Sequence, residues 1–510
     1  MLYTHLIAPI PELIKRHARE RGAKVAYRDA HAAVTYAQLD ERTGALAGHL
    51  ADHGIAPGNT VAILLPNSTQ WIESCLAITR AGAIGVPISY EATEPEIAYR
   101  LEDANCRAIV TTAERGDLVA TLKAGAPSLK VVIATDRGGA RADALSYSAL
   151  LATAPKSAPR DPALMHEPAF ILYTSGTTGR AKGVLLTVHG MLWIVAACWA
   201  PITGLSERDT VLSPLPLFHS YALNLSVLAI LATGASEYVM EKFSTSEAMR
   251  LMKTGEFTYF PGVPTMFHYL LQGAADGTLP GMRLCVSAGA IMPATLNCEF
   301  EQRFGITLLD GYGITETSTM VTMNWPTGGR VLGSCGFPVP GLSVRIVDPA
   351  SGRDVETGQE GELIVRGPNV MPGYLNKPEE TAKAVRDGWY HTGDLAKADR
   401  NNFLTITGRL KELIIRGGQN IAPAEIEEVV NTFEPVLDCA VVGAPHEHLG
   451  EVPLLFVVPR AGRTVEAQAL LAHCRAHLSA YKVPSAVHLI DTIPRTGSGK
   501  IIRYKLKELL

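Results

Sequence analysis

The sequence predicts an α/β protein: a large N-terminal domain with layered mixed α/β sheets and a small strand-rich subdomain, followed by a small C-terminal α+β domain. Three observations predict it. Helix and strand signals alternate through roughly the first 150 residues, short alternating runs broken by Gly and Pro dominate beyond about residue 340, and the texture shifts again at Gly408-Arg409-Leu410-Lys411. At 510 residues the chain also exceeds the roughly 250–300 that one hydrophobic core serves, so at least two folding units are expected. The boundary falls between residues 1–408 and 409–510.

In chain order, Thr35 and Gln38 form a capping box: the threonine hydroxyl accepts from the Gln38 amide while the Gln38 side chain reaches back. The helix it starts carries Leu39, Leu46 and Leu50 and stops at Gly54. Residues 61–66 are all apolar and end at Pro66, as a buried strand does. A second capping box at Thr93 and Glu96 precedes a second strand at 107–112. Residues 343–349 and 361–367 read as strands of the small subdomain. The C-terminal unit reads as a helix at 424–431, strands at 439–444 and 454–459, a helix over 465–479 and a strand near 486–490. Neither internal repeats nor low-complexity tracts occur.

Composition narrows the function classes. With 46 Lys+Arg against 50 Asp+Glu the net charge is −4, and no basic block is present to hold nucleic acid by its phosphates. The eight cysteines are scattered, without CxxC pairs or zinc spacing, and read as buried small hydrophobes of a reducing compartment. The N-terminus lacks an export signal, and the apolar stretches 191–200 and 223–235 fall short of the ~20 residues of a membrane span. A cytoplasmic protein without a transmembrane segment is expected.

The chemistry concentrates first in Tyr173-Thr174-Ser175-Gly176-Thr177-Thr178-Gly179-Arg180-Ala181-Lys182-Gly183, which follows an apolar run. Glycines let backbone N–H groups turn toward an anion, hydroxyls add neutral donors, and Lys182 adds a mobile cation for a polyphosphate. Lys182 is followed by Gly183, so the GxxxxGK[ST] pattern of a P-loop NTPase is not met. A flexible Ser/Thr/Gly linker is the bland alternative, opposed by the strand leading in and the Lys-Gly-Val leading out.

This loop resembles the signature of the adenylate-forming superfamily: acyl-CoA synthetases, aryl-CoA ligases, peptide-synthetase adenylation domains and luciferases. The resemblance covers nearly the whole chain, because further motifs follow in family order. Asp310-Gly311-Tyr312-Gly313-Ile314-Thr315-Glu316-Thr317 is similar to the second signature, where a glycine-flanked aromatic lies on a purine and Glu316 is a hard ligand for Mg²⁺. Alone, that stretch reads equally as a glycine-rich turn. Trp389-Tyr390-His391-Thr392-Gly393-Asp394-Leu395 resembles the third, with Asp394 as ribose clamp, and Arg409 matches an arginine that reaches the same side. In isolation Asp394 would read as a turn cap and Arg409 as a surface arginine. Ser287-Ala288-Gly289-Ala290 matches a small-residue segment beside adenine and acyl groups, though tight packing would select the same residues. Pro494 to Lys500 resembles the C-terminal loop with the catalytic lysine, here Lys500.

The resemblance therefore implies Lys500, Lys182, Glu316 and Thr315 as catalytic residues. It implies Thr174, Ser175, Gly176, Thr177, Thr178, Gly179, Lys182, Gly289, Ala290, Asp310, Gly311, Tyr312, Gly313, Thr315, Asp394 and Arg409 as nucleotide-binding. An acyl pocket is implied at His219, Tyr221, Gly262, Val263, Gly289 and Gly313. A mobile C-terminal domain hinged at Lys411 and a coenzyme A channel at Gly417 and Gly418 complete the set. The implied cofactors are ATP, Mg²⁺ and coenzyme A, and the implied partner is a small carboxylic acid. Segments 216–224 and 262–266 contain no Asp, Glu, Arg or Lys, so a free amino acid or a dicarboxylate is disfavoured and a neutral, mainly apolar acid expected. His219 reads as a gate or as a half-buried structural histidine. Departures from the family pattern at Ala181, at 187–190 and at Asn401-Asn402 spare every charged motif residue. The expected reaction is acid to acyl-AMP, then to acyl-CoA. Delivery to a carrier-protein phosphopantetheine, a single half-reaction, a luciferase, or a non-catalytic acyl or nucleotide sensor stand as alternatives.

Overall fold

A computed structural model describes residues 2–174, 181–273, 278–417, 419–496 and 499–510. Two sheets build most of the N-terminal domain. In the first, strands run in the order Leu145–Ser146, Val131–Thr135, Ala108–Thr112, Thr60–Leu64, Ile84–Pro87, Pro168–Thr174 and Lys182–Thr187, parallel until the last pair. The second has nine strands, with Ser236–Val239, Thr210–Ser213, Tyr259–Gly262, Leu284–Ser287 and Thr307–Tyr312 adjacent and parallel at its centre. Parallel strands need crossovers, and the helices between them cover both faces, which is why the strands at 60–64 and 284–287 are apolar on both sides. The principal core joins the two sheets around Tyr36, Trp71, Phe170, Trp199 and Tyr259.

The sequence expectations for local structure are met. The Gln38 N–H donates to Thr35 Oγ1 (3.3 Å) and Thr35 N–H to Gln38 Oε1 (2.9 Å), opening the helix Tyr36–Asp52, after which Gly54 takes φ +83°. Glu96 accepts from the Thr93 N–H at 2.8 Å at the start of Glu94–Asp103. The strand-rich subdomain is an antiparallel sheet of Ser343–Val347, Gly361–Arg366, Trp389–Ala398, Val385–Arg386 and Leu404–Arg409. Beyond it, Gln419–Ile421, Ile414–Arg416, Gly450–Pro459 and Val436–His446 form a separate sheet, edged by Ala486–Leu489 and packed by the helices Pro423–Asn431 and Ala467–His477. Ile426, Val441, Leu455 and Leu470 give this C-terminal domain its own core. Cys298 is half-buried and the other cysteines are buried. Among the described residues no helix is long and apolar enough to cross a membrane.

One buried histidine sets a pH limit on this fold. His17, on the helix Ile10–Arg21, hydrogen-bonds through Nε2 to Ala232 O (3.3 Å) and lies against Tyr36. Burial, then Arg21 and Arg16, push it down from 6.5 to about 4. Its folded pKa lies below the unfolded one, so its contribution is complete above pH 6.5 and is lost as pH falls toward about 4. A shift of that size corresponds to about 3 kcal/mol. Denaturant melts at pH 7 and pH 4 should register this loss in the wild type, and His17→Gln should flatten the profile; an unchanged pH dependence would contradict the assignment.

Candidate active site

The phosphate-loop motif sits on a hairpin. Pro168–Thr174 and Lys182–Thr187 pair antiparallel with Thr174 opposite Lys182, so the two residues flank the loop mouth. Ser175, Gly176, Thr177, Thr178 and Gly179 lie outside the described residues. The hairpin is tied to the helix Glu94–Asp103 and its neighbours: Tyr173 OH donates to Asp103 Oδ2 (2.7 Å) and Tyr99 OH to Ala181 O (2.8 Å). Lys182 Nζ donates to Glu380 Oε2 at 2.6 Å and stands 4.8 Å above the Tyr374 ring.

Sheet register gathers the other motifs. Gly262, Ser287 and Asp310 are aligned across three adjacent parallel strands, which places the turns at 262–263, 289–290 and 311–313 side by side at the strands' carboxyl ends. That edge of an open α/β sheet is where crevices for ligands form. Gly289 has φ +90°, and a side chain there would meet only Val263 at 3.7 Å, so the turn keeps open space beside it. A Cβ on Gly313 would fall 1.4 Å from Thr319 O, and one on Gly311 would lie 2.4 Å from Met320 Cε. These glycines admit the chain's own 319–322 segment. Asp310 is buried, its Oδ1 is unpartnered, and burial pushes its carboxyl well above the carboxylate range.

Beside this edge, Thr315 Oγ1 lies 3.3 Å from Ser220 Oγ, and Tyr374 OH donates to Glu316 Oε1 at 3.0 Å. Half-buried His219 precedes the turn Ser220–Ala222 and is lowered from 6.5 to about 3, by desolvation and then by Lys500, so its ring is neutral. Tyr221 donates to Val286 O (3.2 Å) and stacks on Trp199 with centroids 5.9 Å apart. Trp199 donates to Asn224 Oδ1 (2.6 Å), and both residues lie in π-helical turns, Val195–Trp199 and Leu223–Ala229. Such turns recur where a helix is bent around a site. Val263 closes the same wall.

Asp394 and Arg409 face each other across neighbouring strands. Arg409 Nε meets Asp394 Oδ1 at 2.7 Å and Tyr312 OH donates to Oδ2 at 2.5 Å, so the carboxylate binds side chains of two other motifs rather than capping its own turn. Asp394 first, then Glu412, hold the Arg409 guanidinium above its ordinary range against desolvation. The C-terminal domain delivers Lys500 into this field. Its side chain keeps solvent access, yet protein on both sides of the cleft thins the water around the ammonium. That desolvation and Arg409 lower its pKa, opposed by Asp394, Glu316 and Glu412. The loop is braced by Arg495 on Asp438 (2.8 Å) and by Lys500 N–H to Thr496 Oγ1 (3.1 Å). A side chain on Gly499 would approach Val263 Cγ2 to 3.3 Å, so this glycine packs directly against Val263.

The structure thus brings together Tyr312, Thr315, Glu316, Asp394, Arg409, Lys500, His219, Tyr221, Gly262, Val263 and Gly289. Ala290 is exposed at the rim. Lys411 lies apart in the turn Leu410–Glu412, and Gly417 (φ +57°) sits at the tip of the strand pair Ile414–Arg416 and Gln419–Ile421, its N–H bonded to Leu449 O. Gly418 lies outside the described residues. Sequence reasoning placed Ser220 and Asn224 within the segment 216–224 and missed Tyr374, Glu380 and Trp199. No local pattern marks them, because their partners are distant in sequence. Among the described residues no group of three or more His, Cys, Asp or Glu could hold a metal ion. Glu316 is a hard oxygen donor of the kind that a Mg²⁺ accompanying a nucleotide takes.

Parallel strands that deliver glycine turns and carboxylates at their carboxyl ends, met there by a lysine from a second domain, form the architecture of an adenylate-forming enzyme. Residues 14–375 match the AMP-binding enzyme family and residues 425–500 the AMP-binding enzyme C-terminal domain. The chain is 34% identical over 495 residues to a feruloyl-CoA synthase of an Amycolatopsis species, spanning 96% of this chain and 97% of that one. It is 34% identical over 505 residues to the indoleacetate–CoA ligase of Aromatoleum aromaticum, spanning 98% of each. ATP-bound MatB from Rhodopseudomonas palustris superposes with a TM-score of 0.90 at 31% identity over 98% of both chains. The chain belongs to the AMP-binding enzyme family, on the acyl-CoA synthetase branch of the adenylate-forming superfamily, and is an AMP-forming acyl-CoA synthetase.

Proposed function

We propose that this enzyme joins a neutral, mainly apolar carboxylic acid, cyclic or aromatic in the first instance, to AMP and then to coenzyme A. In the first half-reaction an acid oxygen attacks the α-phosphorus of ATP and the bond to pyrophosphate breaks. In the second the coenzyme A sulfur attacks the acyl carbon and AMP leaves. The observation that carries this reading is the meeting of Lys500 with Glu316, Asp394 and Arg409 beside a wall of His219, Tyr221 and Val263 that offers no charged side chain. Lys500 would offset the charge of the approaching carboxylate and phosphate, Asp394 and Arg409 would hold the ribose, and neutral His219 and Tyr221 would orient the acid. Mg²⁺, when bound with the triphosphate on Glu316, would neutralise phosphate charge. The names of the relatives, feruloyl-CoA synthase and indoleacetate–CoA ligase, support testing aryl acids first.

The two half-reactions need different groups at one place, so residues 409–510 are assigned two poses relative to 1–408, turning about Lys411. Lys500 is present in one, and Gly417–Gly418 border the thiol path in the other. The separate C-terminal core and the exposed Lys411 in a three-residue turn support this. Dependence on ATP and coenzyme A supports a cytoplasmic location.

ATP–pyrophosphate exchange across an acid panel, with hydroxylamine trapping and coenzyme A thioester detection, is the deciding measurement. Exchange and thioester with aryl or alicyclic acids are expected. No exchange and no thioester with any acid would favour a sensor. Thioester formed only from supplied acyl-adenylate would mean one half-reaction, and transfer to a carrier pantetheine that free coenzyme A cannot compete would replace the acceptor.

A further inference from the structure

We infer that Glu380 is a positioning residue for the phosphate-loop lysine: in the nucleotide-free enzyme it occupies the Lys182 ammonium and so competes with the triphosphate of ATP for it. The inference rests on the ATP-dependent reading above. A surface ion pair would ordinarily carry no such weight. Here, however, both partners are mounted on one scaffold. Segment 373–375 is stitched to the strand Lys182–Thr187 by backbone bonds from Leu185 N–H to Gly373 O (3.1 Å) and Leu375 N–H to Gly183 O (2.8 Å). The helix Pro378–Ala384 is fixed to that segment in turn, because Tyr374 N–H donates to Thr381 Oγ1 (2.9 Å). Glu380 therefore stands in the first turn of a helix whose start is locked beside the loop.

The contact has the features of a latch. Lys182 Nζ lies 2.6 Å from Glu380 Oε2, with side-chain exposures of 23% and 39%. The same ammonium sits over the Tyr374 ring, whose hydroxyl holds Glu316. Lys182, Tyr374 and Glu316 thus form one connected set, and the carboxylate of Glu380 closes its phosphate-loop end. Lys383 Nζ, 3.4 Å from the other Glu380 oxygen, remains as a counterion when Lys182 turns to phosphate, so the exchange leaves no bare carboxylate. A negative charge at that place opposes the β- and γ-phosphates, whereas AMP lacks both groups.

The test compares equilibrium binding of α,β-methylene-ATP with Mg²⁺ and of AMP, by calorimetry, in wild type, Glu380→Gln and Glu380→Asp. Glu380→Gln should tighten the triphosphate analogue about three- to five-fold and leave AMP unchanged, and the difference should shrink at high salt. In exchange assays its KM for ATP should fall with kcat unchanged. Glu380→Asp, which keeps the charge, should restore the wild-type ratio of analogue to AMP affinity. Unchanged or weakened analogue binding in Glu380→Gln, or equal tightening of AMP, would overturn the inference while leaving the function intact. Wild type that bound neither nucleotide would overturn both. Equal melting temperatures of the three proteins would exclude a folding origin.

Discussion

Lys500→Ala should slow acyl-adenylate formation by roughly 10²- to 10³-fold and leave thioester formation from supplied acyl-adenylate within a few-fold of wild type. Carboxylate attack on a phosphate brings two anions together, and the charge to be offset peaks in the transition state. Arg409 is committed to Asp394 at 2.7 Å and Lys182 to Glu380 at 2.6 Å, whereas Lys500 Nζ is drawn into the field of Asp394, Glu316 and Glu412 without a paired carboxylate among the described residues. It is the cation of this group with the most freedom to serve the reacting oxygens. Thiol attack on the acyl carbon has no such meeting of anions, so it should be nearly indifferent. Equal losses in both half-reactions would defeat the two-pose account. An independent readout comes from His219, which Lys500 helps to depress to about 3. Removing the cation should raise the imidazole pKa in an NMR titration, but burial, the larger cause, should keep it below 6.5.

Much of this arrangement is legible in the sequence where the physics is local. Capping at Thr35, the stop at Gly54 and the apolar strand expected at 61–66 are properties of a few adjacent residues, and all three appear, the strand as Thr60–Leu64. The C-terminal helix and strand pattern is likewise recovered with ends within a few residues, the strand pair 436–446 and 450–459 being longer than its apolar centres suggest. Sheet order is not local. Nothing in Gly262, Ser287 and Asp310 separately says that they share one register line, yet that line gathers the motifs. Side-chain partners are less legible still: Glu380 stands 198 residues from Lys182, and Trp199 meets Asn224 only because two π-turns face each other. The glycines around Tyr312 are an intermediate case. Their necessity is readable, but its cause is steric pressure from residues 319–322, which only the folded chain reveals.

Asp394→Asn should weaken AMP and ATP analogues alike by roughly 30- to 100-fold. The side chain is 3% exposed and serves two donors, Arg409 at Oδ1 and Tyr312 at Oδ2. Asparagine keeps the shape and loses the charge. Its amide nitrogen must then face either the guanidinium, which can only donate, or the phenol, which must turn its O–H away to accept, so a charge-assisted contact is lost. Tyr312 does not relieve this by ionising, because burial, the larger cause of its raised pKa, remains when the Asp394 charge is gone. Losing the charged acceptor for the ribose hydroxyls corresponds to about 2–3 kcal/mol of binding, whereas Arg409, 36% exposed, keeps partial access to water that limits the loss of stability. Tyr312→Phe separates structure from binding: it removes one donor, frees an Asp394 lone pair and should change AMP affinity by less than about five-fold. Because the ribose is common to both nucleotides, Asp394→Asn should leave the ratio of ATP-analogue to AMP affinity unchanged, where Glu380→Gln shifts it. Calorimetry that found AMP binding to Asp394→Asn at wild-type strength would remove Asp394 from the nucleotide site and assign its ion pair to the stability of the strand pair it joins.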